Sequence, residues 1–412
     1  MHDHEGFTSV TPLSAARDRL RERCEAGTSE TVQVAAAAGR VLAEPVRATR
    51  DVPHYDRAAM DGYAVRAADT VEATERSPAY LATATGGVGA GEAVQVHTGS
   101  ALPEGADAVV VVERTETRDD EVAVFEAVPP GENVAPAGED VEADRALFDA
   151  GRRLSPADLA LLRASGTTTV EAYRTPRVAV IPTGEELVEA DPAPGEVVET
   201  NGLMVSRLAE GWGATASYRD VVTDERAALG TAVEAGADHD LVVTTGGSSV
   251  GERDLVADVV GARGEILVHG VALKPGHPVG IGAVAGTPVL LLPGYPVSCL
   301  VTAVQLLRPA LAWLAGTTPP PHPVTRARLS RKLPSEPGVR SFARVRLDGS
   351  GGTKPPEDSD SAELPGAEPL RVGGAGVLSS AAFADGWVTV PESREGIPAG
   401  EVVGVEDWRR CQ

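Results

Sequence analysis

The period of the apolar positions changes along this chain, and each change marks a different kind of element. Residues 12–44 read as a helix, a short apolar patch and a second helix, with Thr11 and Pro12 as cap and first turn. From about Pro45 to Ala150 the pattern shortens to β-prone runs, such as Ala93 to His97, Ala108 to Glu113 and Val122 to Ala127, separated by Gly and Pro clusters; this predicts a small all-β module. Ser155-Pro156-Ala157-Asp158 then opens a helix with Ser155 as N-cap, and Gly166 closes it.

From Arg177 strand and helix alternate: RVAVIPTG, a helix beginning near Asn201, the strand ATASYRDVV, a helix DERAALGTAVEAG capped by Asp224, and the strand DLVVTTGG. A helix from Asp254, a strand near Ile266, the pair PVGIGAV and PVLLLPG, and a helix from Pro296 to about Ala315 complete the series. This alternation predicts an α/β fold with a doubly wound, mostly parallel sheet, whose ligand sits at the carboxyl ends of the strands. Beyond a Pro-rich linker from Thr317 to Pro323, strand-like runs predict a β-rich tail, interrupted by an acidic Gly/Pro loop from about Asp348 to Glu368 that reads as mobile. The expected domains are 1–44 with 151–176 (α/β), 45–150 (inserted β module), 177–316 (doubly wound) and 324–412 (C-terminal β).

Composition narrows the function. Sixty acidic residues against 37 basic give a net charge of −23, and Lys274, Lys332 and Lys354 are the only lysines. Non-specific nucleic-acid binding is therefore not expected. An acidic, Lys-poor surface suits a high-salt cytoplasm, where screening falls to about 3 Å at 1 M salt; an ordinary acidic protein from a GC-rich genome is the alternative. Cys24, Cys299 and Cys411 show no metal-knuckle spacing. The opening MHDHEGFTSV lacks the order of a secretory signal, and no apolar run approaches the roughly 18 residues that span a bilayer, so a cytoplasmic location without membrane attachment is expected. An anionic ligand would have to be held by backbone N–H groups, local Arg or Lys, or a divalent cation.

Three turns at strand ends carry candidate chemistry. In Asp240-LVVTTGGSSVGER-Asp254, Gly246, Gly247 and Gly251 can turn consecutive N–H groups towards an anion, with Ser248 and Ser249 adding hydroxyls; a tight turn without ligand is the plainer alternative. Pro182-Thr183-Gly184-Glu185-Glu186 and Pro293-Gly294-Tyr295-Pro296-Val297-Ser298 end two other strands of the same sheet. Neither the P-loop nor the Rossmann fingerprint is present. Glu186, Asp224 and Asp254 all fall at strand-to-helix junctions, a crowding that suits Mg²⁺ held by one or two carboxylates and substrate oxygens; helix capping by Asp224 and Asp254 is the competing reading. Lys274, in LKPGHP, is expected near the same edge.

The segments VPHYDRAAMDGYAV, HTGSALPEGADAVVVVE, PPGENVAPAGED, PTGEEL, TTGGSSVGERD, LKPGHP and PGYPVS, in this order, resemble the MoeA family of molybdopterin molybdotransferases, to which the E domain of gephyrin is related. The resemblance implies a MoaB/MogA-like central domain and an enzyme that takes adenylylated molybdopterin (molybdopterin-AMP) and molybdate, releases AMP in a Mg²⁺-dependent step and leaves molybdenum cofactor. It implies a homodimer, supplied by an adenylyltransferase of the MogA/MoaB type, with Asp61 and Asp140 from one chain facing Glu186, Asp224, Asp254 and Lys274 of the other. It assigns metal to Glu186 and Asp254. Ligand contacts fall to Thr98, Thr183, Gly184, Gly246, Gly247, Ser248, Ser249, Gly251, Pro293, Gly294 and Ser298, with Ser379 or Ser380 reaching in from the C-terminal domain. His277, Tyr295 and Gly270 depart from the family pattern, and His277 and Gly270, each standing where the family has a basic residue, reduce the fixed positive charge near Lys274. The adenylyltransferase itself, a tungstate-selective paralogue and a non-catalytic molybdopterin scaffold are the rival readings.

Overall fold

The computed structural model describes residues 10–247, 254–348, 364–370 and 376–409. The chain divides into two compact units, Glu30–Ala172 and the remainder, the latter joining residues up to Ser29 with those from Tyr173 onwards.

In the first unit a six-stranded sheet runs in the order Ala108–Val111, Gly62–Val65, Glu92–Val96, Ala79–Thr83, Glu121–Val124, Thr115–Arg118. Gly62–Val65 is buried throughout and pairs antiparallel with both neighbours, so the apolar residues of GYAV are covered on both sides. Elsewhere in this unit, helix Pro156–Ala164 is closed at its start by a capping box: Ser155 accepts from the Asp158 N–H, and the Asp158 carboxylate accepts from Ser155 N. Leu162 of that helix packs with Val34, Leu42, Leu154 and Val170. The second helix expected within residues 12–44 does not form. Only Leu13–Arg21 is α-helical there, and Ser29–Gln33 instead pairs as a strand with Thr169–Tyr173, a role that suits its β-branched Thr31 and Val32. Pro12, not Thr11, occupies the N-cap position of the helix that does form.

The second unit is built on the sheet predicted from the alternating pattern. Its elements are β1 (Arg177–Pro182), α1 (Asn201–Gly211), β2 (Thr215–Tyr218), α2 (Arg226–Gly236), β3 (Leu241–Thr245), α3 (Leu255–Arg263), β4 (Gly264–His269), β5 (Gly280–Val284) and β6 (Thr287–Leu292), followed by α4 (Pro296–Leu314), a helix whose Ala303–Leu307 segment is a π-turn. Strand order is β2-β1-β3-β6-β5-β4; the first four are mutually parallel, and β5 runs antiparallel to both β6 and β4. Successive residues point to opposite faces, and both faces are covered. Val178, Val180, Val243, Leu290 and Leu292 join Val205 of α1 and Leu300 of α4 in one cluster. Ile181, Val242 and Leu291 join Leu229 of α2 and Val256 of α3 in another. Helix α4 is apolar over a length that would cross a bilayer, but 94% of that stretch is buried inside the protein.

Strands β7 (Val324–Leu329), β8 (Arg340–Leu347), β9 (Gly366–Pro369), β10 (Gly386–Val390) and β11 (Val402–Glu406) close into a barrel in the order β8-β9-β7-β11-β10, with β10 pairing back onto β8. Closure leaves no free edge in the ring. Leu273–Lys274, from the connection between β4 and β5, adds to β8 in parallel register, Lys274 opposite Ser341. The acidic loop expected to run to Glu368 ends earlier: its last residues are β9, because Gly366–Pro369 supplies the ladder partner that β7 and β8 need for closure. Residues 349–363 of that loop lie outside the described residues.

Candidate functional site

Register decides what meets at the carboxyl edge of the sheet. Pro182 lies opposite Thr245, and Thr245 opposite Leu292, so the turns after β1, β3 and β6 leave side by side. Thr183 N donates to the Thr245 carbonyl (2.9 Å), Gly246 N to the Leu292 carbonyl (3.1 Å), and the Asn201 side-chain amide to the Gly294 carbonyl (2.6 Å). Asn201, at the start of α1, therefore clamps the PGYPVS turn, a role that its position as a mere helix opener did not reveal. Gly246 has φ +107°, and a Cβ there would stand 2.1 Å from the Thr183 carbonyl oxygen. Gly246→Ala is expected to destabilise this unit by about 3 kcal/mol through strain and clash, read as a lowered melting midpoint; an unchanged midpoint would mean that the turn opens freely.

The edge also holds buried polar atoms that no described residue satisfies: the Thr183 and Thr245 hydroxyls, Asn201 Oδ1 and Asp224 Oδ1. Such atoms clustered at the ligand-binding edge of an α/β sheet mark a place where a polar ligand completes the bonding. Pro293 is buried between β6 and this edge, whereas Gly294 is exposed. Ser248, Ser249 and Gly251 lie outside the described residues.

The carboxylates separate into two groups. Asp224 does not cap α2: the N-cap residue is Glu225, and no side chain bonds the first turn. Asp224 instead leans on the turn after β1, where it meets Glu185 and Glu186. Burial first, then the charges of Glu186 and Glu185, raise its pKa above the ordinary aspartate value, with the Glu185 N–H opposing the shift. Glu186 reaches this position by folding over Gly184, where a Cβ would come within 2.8 Å of its carboxylate. Asp254 behaves otherwise. One of its oxygens caps α3 by accepting from Ala257 N (3.1 Å), and the other meets His269 Nε2 (3.1 Å), an arrangement that raises the His269 pKa chiefly through that hydrogen bond. Among the described residues no group of three or more His, Cys, Asp or Glu side chains forms a metal cage. A divalent cation held by two carboxylates and substrate oxygens fits Glu186 with Asp224, whose crowded, partly desolvated charge such an ion would neutralise; it fits the engaged carboxylate of Asp254 poorly.

Lys274 lies on the strand added to the barrel, and its ammonium pairs with Glu336 (2.7 Å). Among the other residues lining its cavity, of about 360 Å³, are Pro275, Leu333, Glu336, Phe342 and Arg344. Arg344 is the signal missed in the sequence. Its side chain is 97% buried (3% exposed) with no carboxylate partner among the described residues, and its Nε donates to Ser380 Oγ (3.2 Å). Burial alone lowers its pKa. Ser380 in turn donates to the Val377 carbonyl, so it supports Arg344, while Ser379 is exposed beside it. Gly276 of the Lys274 turn packs against the Ser298 carbonyl, where a Cβ would stand 3.2 Å away, and Ser298 itself is buried in the first turn of α4. Tyr295 is 65% exposed, with Gly376 near its ring.

In the other unit, Thr98 grips Asp61 twice: its N–H (2.7 Å) and its hydroxyl (2.8 Å) both donate to Asp61 Oδ1. The two bonds hold the exposed carboxyl below its ordinary pKa and keep it ionised. Thr98 thus orients Asp61. Asp140 is exposed, its backbone tied to the Val52 carbonyl (3.0 Å) and its own carbonyl accepting from Arg145.

A doubly wound sheet with polar turns gathered at its carboxyl edge is a ligand-binding α/β domain, and residues 179–313 match the family model described as "Probable molybdopterin binding domain". Residues 11–166 match the MoeA N-terminal region (domain I and II), and residues 326–408 the MoeA C-terminal region (domain IV). The chain belongs to the MoeA family of molybdopterin biosynthesis. It is 31% identical over 408 residues to the molybdopterin molybdenumtransferase of Haemophilus influenzae, covering 96% of this chain and 98% of that one. It is 38% identical over 344 residues to molybdopterin molybdenumtransferase 2 of Mycobacterium tuberculosis, covering 78% and 84%. A crystal structure of the molybdopterin biosynthesis MoeA protein from Pyrococcus horikoshii superposes with a TM-score of 0.82 at 35% identity, over 97% of this chain and 99% of that one.

Proposed function

We propose that this protein inserts molybdate into adenylylated molybdopterin, with Mg²⁺-dependent release of AMP, to give molybdenum cofactor. The observation that carries the reading is the pairing of two unlike features in one unit: a crowded carboxylate pair, Glu186 with Asp224, and a cavity lined by Lys274 with its partner Glu336 and by the buried cation Arg344, which has no carboxylate partner among the described residues. The first suits a cation and the second an anion, which together are what a phosphate ester with its counter-ion requires.

In this reading the turns at Thr183, Gly246 and Gly294 receive the pterin end, their unsatisfied hydroxyl and amide groups supplying hydrogen-bond partners. Arg344 and Lys274 hold oxyanion charge, and Ser380 fixes the orientation of Arg344. Mg²⁺, when bound by Glu186 and Asp224, supplies Lewis-acid polarisation of the phosphate. Asp61, kept ionised by Thr98, orients the attacking oxygen. Asp254 acts through its helix: by capping α3 and binding His269 it fixes the exit of the Gly-rich turn. We further propose a homodimer in which Asp61 and Asp140 of one chain serve the site of the other, fed by an adenylyltransferase of the MogA/MoaB type.

The test is a turnover assay with adenylylated molybdopterin, Mg²⁺ and molybdate or tungstate in parallel. AMP release that depends on both oxyanion and Mg²⁺ is expected; tight pterin binding without AMP release would make the protein a carrier. For the dimer, mixing Asp61→Asn with Glu186→Gln chains under subunit exchange is expected to restore about a quarter of wild-type turnover, because half the dimers then hold one intact site. No recovery would place both residues in the same chain's site.

A further inference from the structure

The start of α1 is held by a residue outside the helix. Thr200 occupies the N-cap position yet makes no side-chain bond to the first turn. Glu199 does so instead, one carboxylate oxygen accepting from Gly202 N (2.7 Å) and the other from Leu203 N (3.4 Å). The second oxygen also accepts from the Tyr218 hydroxyl at the end of β2. Burial, then this bond, raise the Tyr218 pKa, so the hydroxyl stays protonated and donates at neutral pH. Glu199 is itself buried (8% exposed), and a buried carboxylate costs folding free energy unless its oxygens are satisfied. Gly202 permits the close approach: a Cβ there would stand 2.7 Å from the Tyr218 ring and 2.8 Å from Pro182, so helix, ring and the end of β1 meet at this point.

Two parts of the ligand edge depend on this junction. Leu187–Val188 pairs in parallel with Val197–Val198, Val197 N donating to the Glu186 carbonyl (2.8 Å) and Glu199 N to the Val188 carbonyl (2.9 Å), so the segment that carries Glu186 is tied to Glu199. On the helix side, the Asn201 amide donates to the Gly294 carbonyl (2.6 Å). A carbonyl only accepts, which sets the orientation of the amide and leaves Asn201 Oδ1 as a buried acceptor with no partner among the described residues. A Cβ on Gly294 would lie 3.4 Å from Gly246 Cα, so the turn that Asn201 grips rests against the turn after β3. We propose that Glu199 and Tyr218 are positioning residues for this edge: they fix the start of α1, and through it set the Glu186 segment and the Gly294 turn in register with the Gly246 turn. As a contribution to turnover this rests on the molybdate-insertion reading; as a tie between the turns it does not.

The experiment compares the full chain with Tyr218→Phe, Glu199→Gln, Glu199→Ala, Asn201→Ala and the double variant Glu199→Ala/Asn201→Ala, well below the melting midpoint of each. Amide hydrogen exchange over residues 183–199 and 293–302 is expected to quicken about tenfold in Tyr218→Phe and Glu199→Ala, with the barrel strand Val402–Glu406 unchanged. In the turnover assay kcat/KM should fall about tenfold in Tyr218→Phe and about 100-fold in Glu199→Ala, the scale of a group displaced by about 1 Å. Glu199→Gln, which still accepts from Gly202 N and bonds the Tyr218 hydroxyl, should recover most of that loss. The double variant should fall little below Glu199→Ala, because Asn201 acts from a helix start that Glu199 fixes. If Glu199→Ala fails to fold, Tyr218→Phe decides. Exchange unchanged in Tyr218→Phe and Glu199→Ala, or losses that add in the double variant, overturns the proposal. A wild type that releases no AMP, with exchange still quickened in the variants, would reject molybdate insertion and uphold the tie between the turns.

Discussion

Asp224→Asn is expected to lower the proposed oxyanion-dependent AMP release by about two to three orders of magnitude, the scale for losing one electrostatic group at a reacting centre, and at the same time to raise the melting midpoint of the metal-free protein. The two effects share one cause. Asp224 is partly buried beside Glu186 and Glu185, and its pKa is raised above the usual value. For an acid raised in the folded state, the associated stability is fully present below the unfolded pKa and is lost as pH rises through the folded one. At neutral pH the ionised form is therefore a burden on the fold, which the neutral amide removes. Melting curves of wild type and variant should converge at acid pH and separate as pH rises, and Mg²⁺ should raise the wild-type midpoint more than that of the variant. Equal turnover in both proteins, or a lower midpoint in the variant at neutral pH, would mean that Asp224 is neither a cation ligand nor strained.

Arg344→Met is the second large effect. A guanidinium that is 3% exposed, with Ser380 Oγ as its hydrogen-bonded partner and no carboxylate among the described residues, costs folding free energy. Replacement by an apolar side chain of similar length is expected to stabilise the second unit by about 1–2 kcal/mol. Loss of the charge-assisted bond proposed between Arg344 and a substrate oxyanion should raise KM for adenylylated molybdopterin, the proposed substrate, roughly 10- to 100-fold. Arg344→Lys, which keeps the charge but not the fork, should fall between. A gain in stability with unchanged KM would show that the cation is structural, and a loss of stability would point to a partner that the described residues do not contain.

The sheet was readable because its signals are local. Short continuous apolar runs bounded by Gly and Pro, such as DLVVTTGG and PVLLLPG, read as strands covered on both faces, and the turn residues that follow them mark the edge where ligands bind. The Ser155 cap was readable for the same reason, since its partner Asp158 is three residues away. What escaped depends on long-range partners. Residues 30–33 have helix-compatible spacing but become a strand because Thr169–Tyr173 lies alongside. Asp224 has the position of a cap, yet its environment is made by a turn almost forty residues earlier. Arg344 lies in an alternating strand, SFARVRL, and neither its burial nor its lack of a carboxylate partner among the described residues can be seen until the barrel closes around it. Asp254 reads equally well as ligand or cap from its neighbours; His269, fifteen residues on, engages its second oxygen.

The small strand Leu273–Lys274 carries a consequence for synthesis of the chain. Its hydrogen-bonding partners are Arg340 and Ser341, and Glu336 and Arg344 complete the surroundings of Lys274. A nascent chain that has just folded its doubly wound sheet has already made Lys274 but has none of these neighbours. The Lys274 cavity therefore comes into being only after translation has passed the barrel, so half-made molecules would hold the turns proposed to take the pterin without the cavity proposed to grip an oxyanion. Shortening the protein from its C-terminal side removes that grip abruptly rather than by degrees, because a ring of five strands closes completely or not at all.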